Sequence, residues 1–276
     1  MGTQKRRPPR PRYTNERLRR GAIKKLTVAW LSAGVSSFIA AYLIRDEIDE
    51  FYYIDIDDQH PDSMRFIKDC ETALGRPIKI LKSNYGSVEN AILAQGCIRI
   101  VKTGFAPCTA YLKRRVRKEQ FELLHQNDEI TYVWGFDSTK HEQNRADRIV
   151  EAMPQYNHRF PLIEQGLTKQ DAHAVLRRLN IRRPAMYDLG YQNNNCVGCV
   201  KGGMGYWNKI RQDFPDVFKA RAELERKLNS SCLKECFLDE LAPDRGKADN
   251  EILEDCGIFC EIAARKIEEA ADNGGN

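Results

Sequence analysis

The hydrophobic positions fall into short blocks separated by longer amphipathic stretches. Leu26–Leu31 is an apolar run that ends in Ser32-Ala33-Gly34-Val35-Ser36-Ser37 and leads into a helical stretch reaching about Ile48. Phe51–Ile56, FYYIDI, is aromatic and β-branched and reads as a second strand. Pro61 stands at the tolerated first turn of a helix that Gly75 closes. Pro77–Leu81 reads as a third strand, Ser87 caps a short helix ending near Gly96, and residues 109–125 form a strongly basic helix. Ile130–Trp134 is the next strand and stops at Gly135. Strands alternating with helices of this length predict an α/β fold, a Rossmann-like parallel sheet with helices on both faces.

After residue 160 the strand signals stop. Thr168-Lys169-Gln170-Asp171 is a capping-box-like start for a helix running to about Leu179, and Pro184 breaks it. A polar stretch, Tyr191-Gln192-Asn193-Asn194-Asn195, leads to a cysteine pair, and residues 205–228 are helical with an interruption at Pro215. The organisation expected is a basic arm over 1–25, an α/β domain over 26–165, and a mainly helical, cysteine-bearing region over 166–276.

No apolar run is long enough to span a bilayer, and the N-terminus has no apolar core of the secretory kind, so a cytoplasmic protein is expected. In a reducing compartment the nine cysteines are metal ligands, reactive thiols or small core residues rather than disulfides. Cys70 and Cys97 lie in helical stretches and read as packing residues. The net charge of +5 is unevenly spread: residues 1–25 hold ten Lys or Arg against Glu16, a net +9, which leaves −4 for the rest. Such an arm is either a solvated tail or a segment that neutralises nucleic-acid phosphates, which need charge but no fold.

A strand ending in a small, Gly/Ser-rich turn that feeds a helix is suited to anions. Backbone N–H groups at the helix start point outward, the helix dipole favours negative charge, and small side chains let a phosphate approach. Ser32–Ser37 supplies one Gly, one Ala and three Ser. The same segment resembles a degenerate SGGxDS phosphate loop, the loop shared by ATP pyrophosphatases and sulfonucleotide reductases. Ser32, Gly34 and Ser37 match; Ala33 replaces a Gly, and Ser36 replaces the Asp. Further resemblances follow in order. Ile54-Asp55 is similar to the family's DTG position, and His60-Pro61-Asp62 to its fPET-like turn. Cys108-Thr109-x-x-Leu112-Lys113 is similar to the C-x-x-x-L-K segment, and Trp134-Gly135-Phe136 with Glu142 and Arg145 to the G-x-R-x-x-E-x-x-R segment.

Over roughly residues 26–260 the chain thus resembles the phosphoadenosine-phosphosulfate (PAPS) reductase family of the adenine nucleotide α-hydrolase superfamily. The resemblance implies a nucleotide over the C-terminal ends of the first strands. Its phosphate or sulfate end would lie at Ser32, Ala33, Gly34, Val35, Ser36 and Ser37, its base against Asp55 and Ile56, with Lys113, Gly135 and Arg145 as further contacts. The nucleotide implied is ATP, with Mg²⁺, or PAPS or APS. Ser36 is a weaker ligand for a hard cation than the Asp it replaces. Lys113, Arg114, Arg115, Arg117 and Lys118 could also form an exposed helix face, and Arg145 and Arg148 could pair with Glu142 and Glu151.

Cys196-Val197-Gly198-Cys199 and Cys256-Gly257-Ile258-Phe259-Cys260 are two close pairs from separated segments, a common way to assemble four thiolates around zinc or an iron–sulfur cluster. Cys232 and Cys236 are a competing pair. The resemblance to iron–sulfur APS reductases and to the DNA-phosphorothioation sulfurtransferases, whose GCWxCT pair is similar to Cys196–Cys199, points to a [4Fe–4S] cluster rather than zinc. Asp255-Cys256-Gly257-Ile258 resembles the C-terminal ECGLH of true PAPS reductases, with Phe259 in place of His, so Cys256 is the nucleophile under that alternative. The function implied is nucleotide-dependent sulfur chemistry: an iron–sulfur sulfurtransferase acting on nucleic acid and served by a sulfur- or electron-donor protein. The alternatives are a sulfonucleotide reductase, or a non-catalytic nucleotide- or nucleic-acid-binding protein with structural zinc.

Overall fold

The computed structural model describes residues 23–99 and 105–247. Five strands, β1 (Lys25–Leu31), β2 (Glu50–Asp55), β3 (Ile78–Lys82), β4 (Glu129–Val133) and β5 (Asn157–Arg159), form one sheet in the order β3-β2-β1-β4-β5. Every pairing is parallel, with Val28 opposite Glu50 and Tyr132, and Phe51 opposite Ile78. The helices are α1 (Val35–Leu43), α2 (Asp62–Leu74), α3 (Val88–Gln95), α4 (107–122), α5 (Lys140–Ala152), α6 (Pro161–Glu164), α7 (Lys169–Arg178), α8 (Ala185–Asp188), α9 (Met204–Asp213) and α10 (Pro215–Leu228).

Strand alternation sorts side chains onto two faces. Ala29, Leu31, Phe51, Tyr53 and Val133 pack on one face against Phe38 of α1, Phe66 of α2 and Leu176 of α7. Val28, Tyr52, Ile130 and Tyr132 pack on the other against Phe121 of α4. The sheet is thus doubly wound and Rossmann-like, the fold class expected. Residues after 166 contribute to this packing: Ala172, Leu176 and Tyr187 join the α1 face, while Trp207, Ile210 and Leu238 share a core with Ile56 and Ile92.

Several boundaries follow the predicted chemistry. α2 follows Pro61 and stops at Gly75, whose φ of 65° is left-handed. The Ser87 hydroxyl accepts from Asn90 N at the start of α3, and Gly96 ends it. Thr168 and Asp171 form the reciprocal capping box of α7. Other expectations need correction. α1 stops at Leu43 rather than near Ile48, and a 3₁₀ turn, Arg45–Glu47, completes the segment. The basic helix begins at Pro107, a tolerated first-turn residue, and contains two π-helical stretches, Ala110–Arg114 and Lys118–Glu122. β5 has no counterpart in the sequence reading, since Asn157-His158-Arg159 carries no apolar alternation. No helix among the described residues is long and apolar enough to cross a membrane.

Candidate functional site

β1 is flanked by β2 on one side and β4 on the other, and successive strands run outward from it in opposite directions. Ligands of open α/β sheets lie at such a switch point, outside the carboxyl ends of the strands. The turn that leaves β1 there is Ser32–Ser37. Ala33 adopts φ 58°, which turns the chain sharply before Gly34 extends and α1 begins. Ser32 N donates to Ser37 Oγ (3.1 Å), and Ser37 Oγ donates to Gly34 O (2.9 Å). The Ser37 proton being committed, the 3.1 Å contact between the two hydroxyls has Ser32 as donor. The Ala33 carbonyl accepts from the buried Asn194 amide (2.8 Å), which also reaches Ser63 Oγ (3.0 Å) and turns that carbonyl toward α2. Val35 N donates to Tyr187 Oη (3.3 Å).

Two adjoining cavities share Ser32, Ser37 and Gly135. The first, about 170 Å³, is lined by polar groups: Ser36, Asp137, Glu142, Arg145, Lys169 and Asn193 among them. Arg145 is 3% exposed, pairs with Glu142 (2.5 Å), and lies 4.8 Å over the Phe136 ring. The Lys169 ammonium donates to Gln192 O and to Asn193 Oδ1 (2.8 Å). Asp137 Oδ1 accepts from Thr139 N (2.9 Å), which starts α5 and sets the carboxylate at the cavity. The second cavity, about 110 Å³, is lined by Trp30, Ile54, Trp134 and Phe136 with Lys113, Arg114 and Arg117 at its edge. Trp134 is oriented by His158: its indole N–H donates to Nδ1 (3.0 Å), and Nε2 faces Met153 O (3.0 Å). Nδ1 must accept, so the neutral ring carries its proton on Nε2; burial holds the His158 pKa below its usual value.

Of the residues expected to meet a nucleotide, Ser32, Gly34, Ser36, Ser37, Gly135 and Arg145 line the polar cavity and Lys113 the aromatic one. Ala33 and Val35 are buried and contribute backbone only. Asp55 and Ile56 are not brought to either cavity. Asp55 pairs with Lys82 (3.5 Å), and Ile56 is core; Ile54, with Trp30 and Trp134, stands at the aromatic cavity instead. Arg148 lines neither cavity and donates to Asn144 O (3.0 Å). Asp137, Lys169, Tyr187 and Asn194 were missed. Asp137-Ser138-Thr139 before a helix is a signal that could have found the first; the others converge only through the fold.

A third, small cavity is lined by Cys108, Cys196 and Cys199, with Ile56, Thr109 and Lys113. Lys113 therefore lies between the aromatic cavity and the thiols. The Cys196–Cys199 loop is fixed at both ends: Cys199 N donates to Tyr206 Oη (2.9 Å), Tyr206 Oη donates to Cys196 O (3.3 Å), and Val197 N to Asp58 O (2.8 Å). Gly198 takes φ 71°, and a β-carbon there would lie 2.5 Å from Val217 Cγ1. Among the described residues no three His, Cys, Asp or Glu side chains converge closely enough to hold a metal ion, although three thiols border one cavity. Cys256 and Cys260 lie outside the described residues. Cys232, fully buried with its thiol pKa pushed up by desolvation, lies in the core rather than at this cavity.

No protein-family model and no curated protein sequence matches the chain. Among solved structures it is similar to a crystal structure of phosphoadenylyl-sulfate (PAPS) reductase from Candida auris in a phosphate complex, with a TM-score of 0.42 and 12% identity, over 62% of this chain and 80% of that one.

Proposed function

We propose that the protein binds an adenine nucleotide across the two adjoining cavities and uses it for sulfur transfer to nucleic acid. The observation that carries this reading is the position of the Ser32–Ser37 turn at the switch point. Hydroxyls and the cations Arg145 and Lys169, with the carboxylates of Asp137 and Glu142, line the cavity on one side of it, and an indole-walled cavity with Lys113, Arg114 and Arg117 lies on the other. Phosphates suit the first and the base suits the second. With ATP, an acceptor oxygen attacks the α-phosphorus, pyrophosphate leaves, and a sulfur nucleophile then displaces AMP. Asp137 would supply a carboxylate to the Mg²⁺ that ATP brings, which Ser36 would not.

The cysteine cavity is suited to the sulfur side of this chemistry. Its donor set is thiolate, which favours zinc or an iron–sulfur cluster, and Cys196 and Cys199 would hold it together with Cys256 and Cys260. A [4Fe–4S] cluster would supply an iron site for the incoming sulfur. Sulfonucleotide reduction, with Cys256 as nucleophile, is the second reading, favoured by Ser36 at the cation position of the turn.

Calorimetric titration of ATP, AMP and PAPS tests the nucleotide site. A β-carbon at Gly34 would lie 3.2 Å from Ser32 Oγ and 3.5 Å from Tyr187 Oη, so a leucine there fills the anion position. Gly34→Leu is expected to abolish nucleotide binding with the fold retained; unchanged affinity sinks the proposal. Iron, sulfide and zinc analysis of anaerobically purified protein, parent against Cys196→Ser, tests the metal.

A further inference from the structure

We propose that the open cleft beside the phosphate turn, walled by Lys169, Arg177 and Arg183, takes the phosphodiester backbone of a nucleic acid and lays it along the nucleotide cavity. This deepens the reading above, on which it rests only for what the backbone is brought to. The cleft, about 850 Å³, shares Thr139, Lys169, Tyr187 and Gln192 with the polar cavity, so a strand lying in it passes beside the bound nucleotide. Among the described residues that line it there is no Asp or Glu.

Two of its cations are arranged in a line. Lys169 and Arg177 share one stripe of α7 with the uncharged ring of His173 between them. The rise from one to the other is about 12 Å, close to two phosphate steps on an extended strand. Convergence on a single small anion would need the opposite arrangement. Arg177 is exposed and makes no ion pair among the described residues. Among the described residues Arg183 forms its one ion pair with Asp188 (2.6 Å), both half-exposed, and a phosphate can take that place. Lys169, tethered by Gln192 and Asn193, marks the boundary with the nucleotide cavity. The α7 N-terminus is not the anion site, because Thr168 and Asp171 already satisfy it. His173, packed edge-on against Tyr187 at 4.8 Å, is pushed down to about 4 by burial and then by Lys169, Arg183 and Arg177, a sign of the positive potential in the cleft.

The test is fluorescence anisotropy of a labelled oligonucleotide, single-stranded and duplex, against the full chain over a range of salt. Arg177→Gln with Arg183→Gln removes two cleft charges. Lys219→Gln with Lys227→Gln removes two charges from the exposed face of α10 and is the control. The cleft pair is expected to flatten the slope of log K against log salt by about 2 on duplex and about 1.4 on single strand, with affinity falling at every salt. The control pair should change neither measurably. Arg177→Lys with Arg183→Lys should retain binding, because phosphates ask for charge. Equal effects of the cleft and control pairs, or loss of binding in the lysine variant with the fold intact, overturns the proposal. Nucleotide titration on the same proteins separates the two readings: a chain that binds no nucleotide yet loses the oligonucleotide only in the cleft variant keeps the cleft and loses the nucleotide site.

Discussion

A β-carbon placed on Gly135 would lie 2.5 Å from the Cα of Ser37 and 2.6 Å from its backbone nitrogen. The chain leaving β4 therefore touches the backbone of the turn leaving β1, at the point where the sheet order reverses. That contact forms the common floor of the two cavities, which both include Ser32, Ser37 and Gly135. Gly135→Ala must displace backbone, since no flexible side chain stands there to yield. The expected cost is about 1–3 kcal/mol of stability by urea unfolding, with loss of nucleotide affinity by calorimetry. An alanine variant as stable as the parent would show that the two loops are not in contact.

Ala33 gives a second test of the same turn. It holds a left-handed φ of 58° that costs a residue with a β-carbon about 1–2 kcal/mol. Ala33→Gly relieves this but loses a buried methyl worth about 0.8 kcal/mol and adds freedom to the unfolded chain. The changes offset, and the variant should fall within about 0.5 kcal/mol of the parent. Ala40, also fully buried but inside α1, has no such relief, and Ala40→Gly should lose more than about 1 kcal/mol. Equal losses at the two positions would contradict the left-handed turn.

Much of this was legible because the signals are local. Pro61, Gly75, Ser87, Gly96 and the Thr168–Asp171 box each act within one turn of chain, and each marks a real helix end. The Ser32–Ser37 turn was visible because a Gly/Ser-rich segment directly after an apolar run marks the end of a strand and the start of a helix. The partners of the turn were not visible. Asn194 reaches Ala33 across 161 residues and Tyr187 reaches Val35 across 152, and no periodicity encodes either contact. β5 was missed for a different reason: as a polar edge strand it is defined by pairing with β4 alone. The aromatic cavity takes Ile54 rather than Asp55 because strand alternation sends neighbours to opposite faces, while Ile56, past the end of β2, is drawn into the core.

His158 should make the aromatic cavity sensitive to acid. Its Nδ1 accepts the Trp134 indole proton, and burial lowers its pKa. A folded-state pKa below the unfolded one gives stability that is complete above the unfolded value, near 6.5, and declines as pH falls toward the folded one. Protonation puts a hydrogen on Nδ1 and expels the Trp134 N–H, so tryptophan fluorescence and nucleotide affinity should change together as pH falls below about 6.5. His173, pushed down to about 4, adds a stability loss over the same range but does not touch Trp134. His158→Phe should therefore remove the fluorescence change while leaving part of the stability change. Fluorescence that still titrates in that variant would assign it to another group.

If the basic arm and the α7 cleft both bind nucleic acid, their contributions should be separable. Residues 1–22, which lie outside the described structure, carry eight of the ten arm cations and a net +7. A truncation should begin at Ile23 rather than later, because Lys24 O accepts from Glu129 N (2.8 Å) and Lys25 pairs with Glu129 (3.3 Å) at the edge of β1 and β4. Five or six arm cations engaged on duplex DNA would account for a slope of about −5 in log K against log salt. The truncated chain should lose that part and keep the shallower slope of about −2 to −3 that three cleft cations provide. A solubilising tail predicts instead that truncation leaves both affinity and slope unchanged. The combination of truncation with Arg177→Gln and Arg183→Gln decides between additive and redundant anchoring. If slopes subtract independently, the arm captures the polymer and the cleft registers it beside the nucleotide. If the truncated chain binds as the parent does, the arm leaves the mechanism, and the cleft alone must carry the case for a polymeric substrate over a sulfonucleotide.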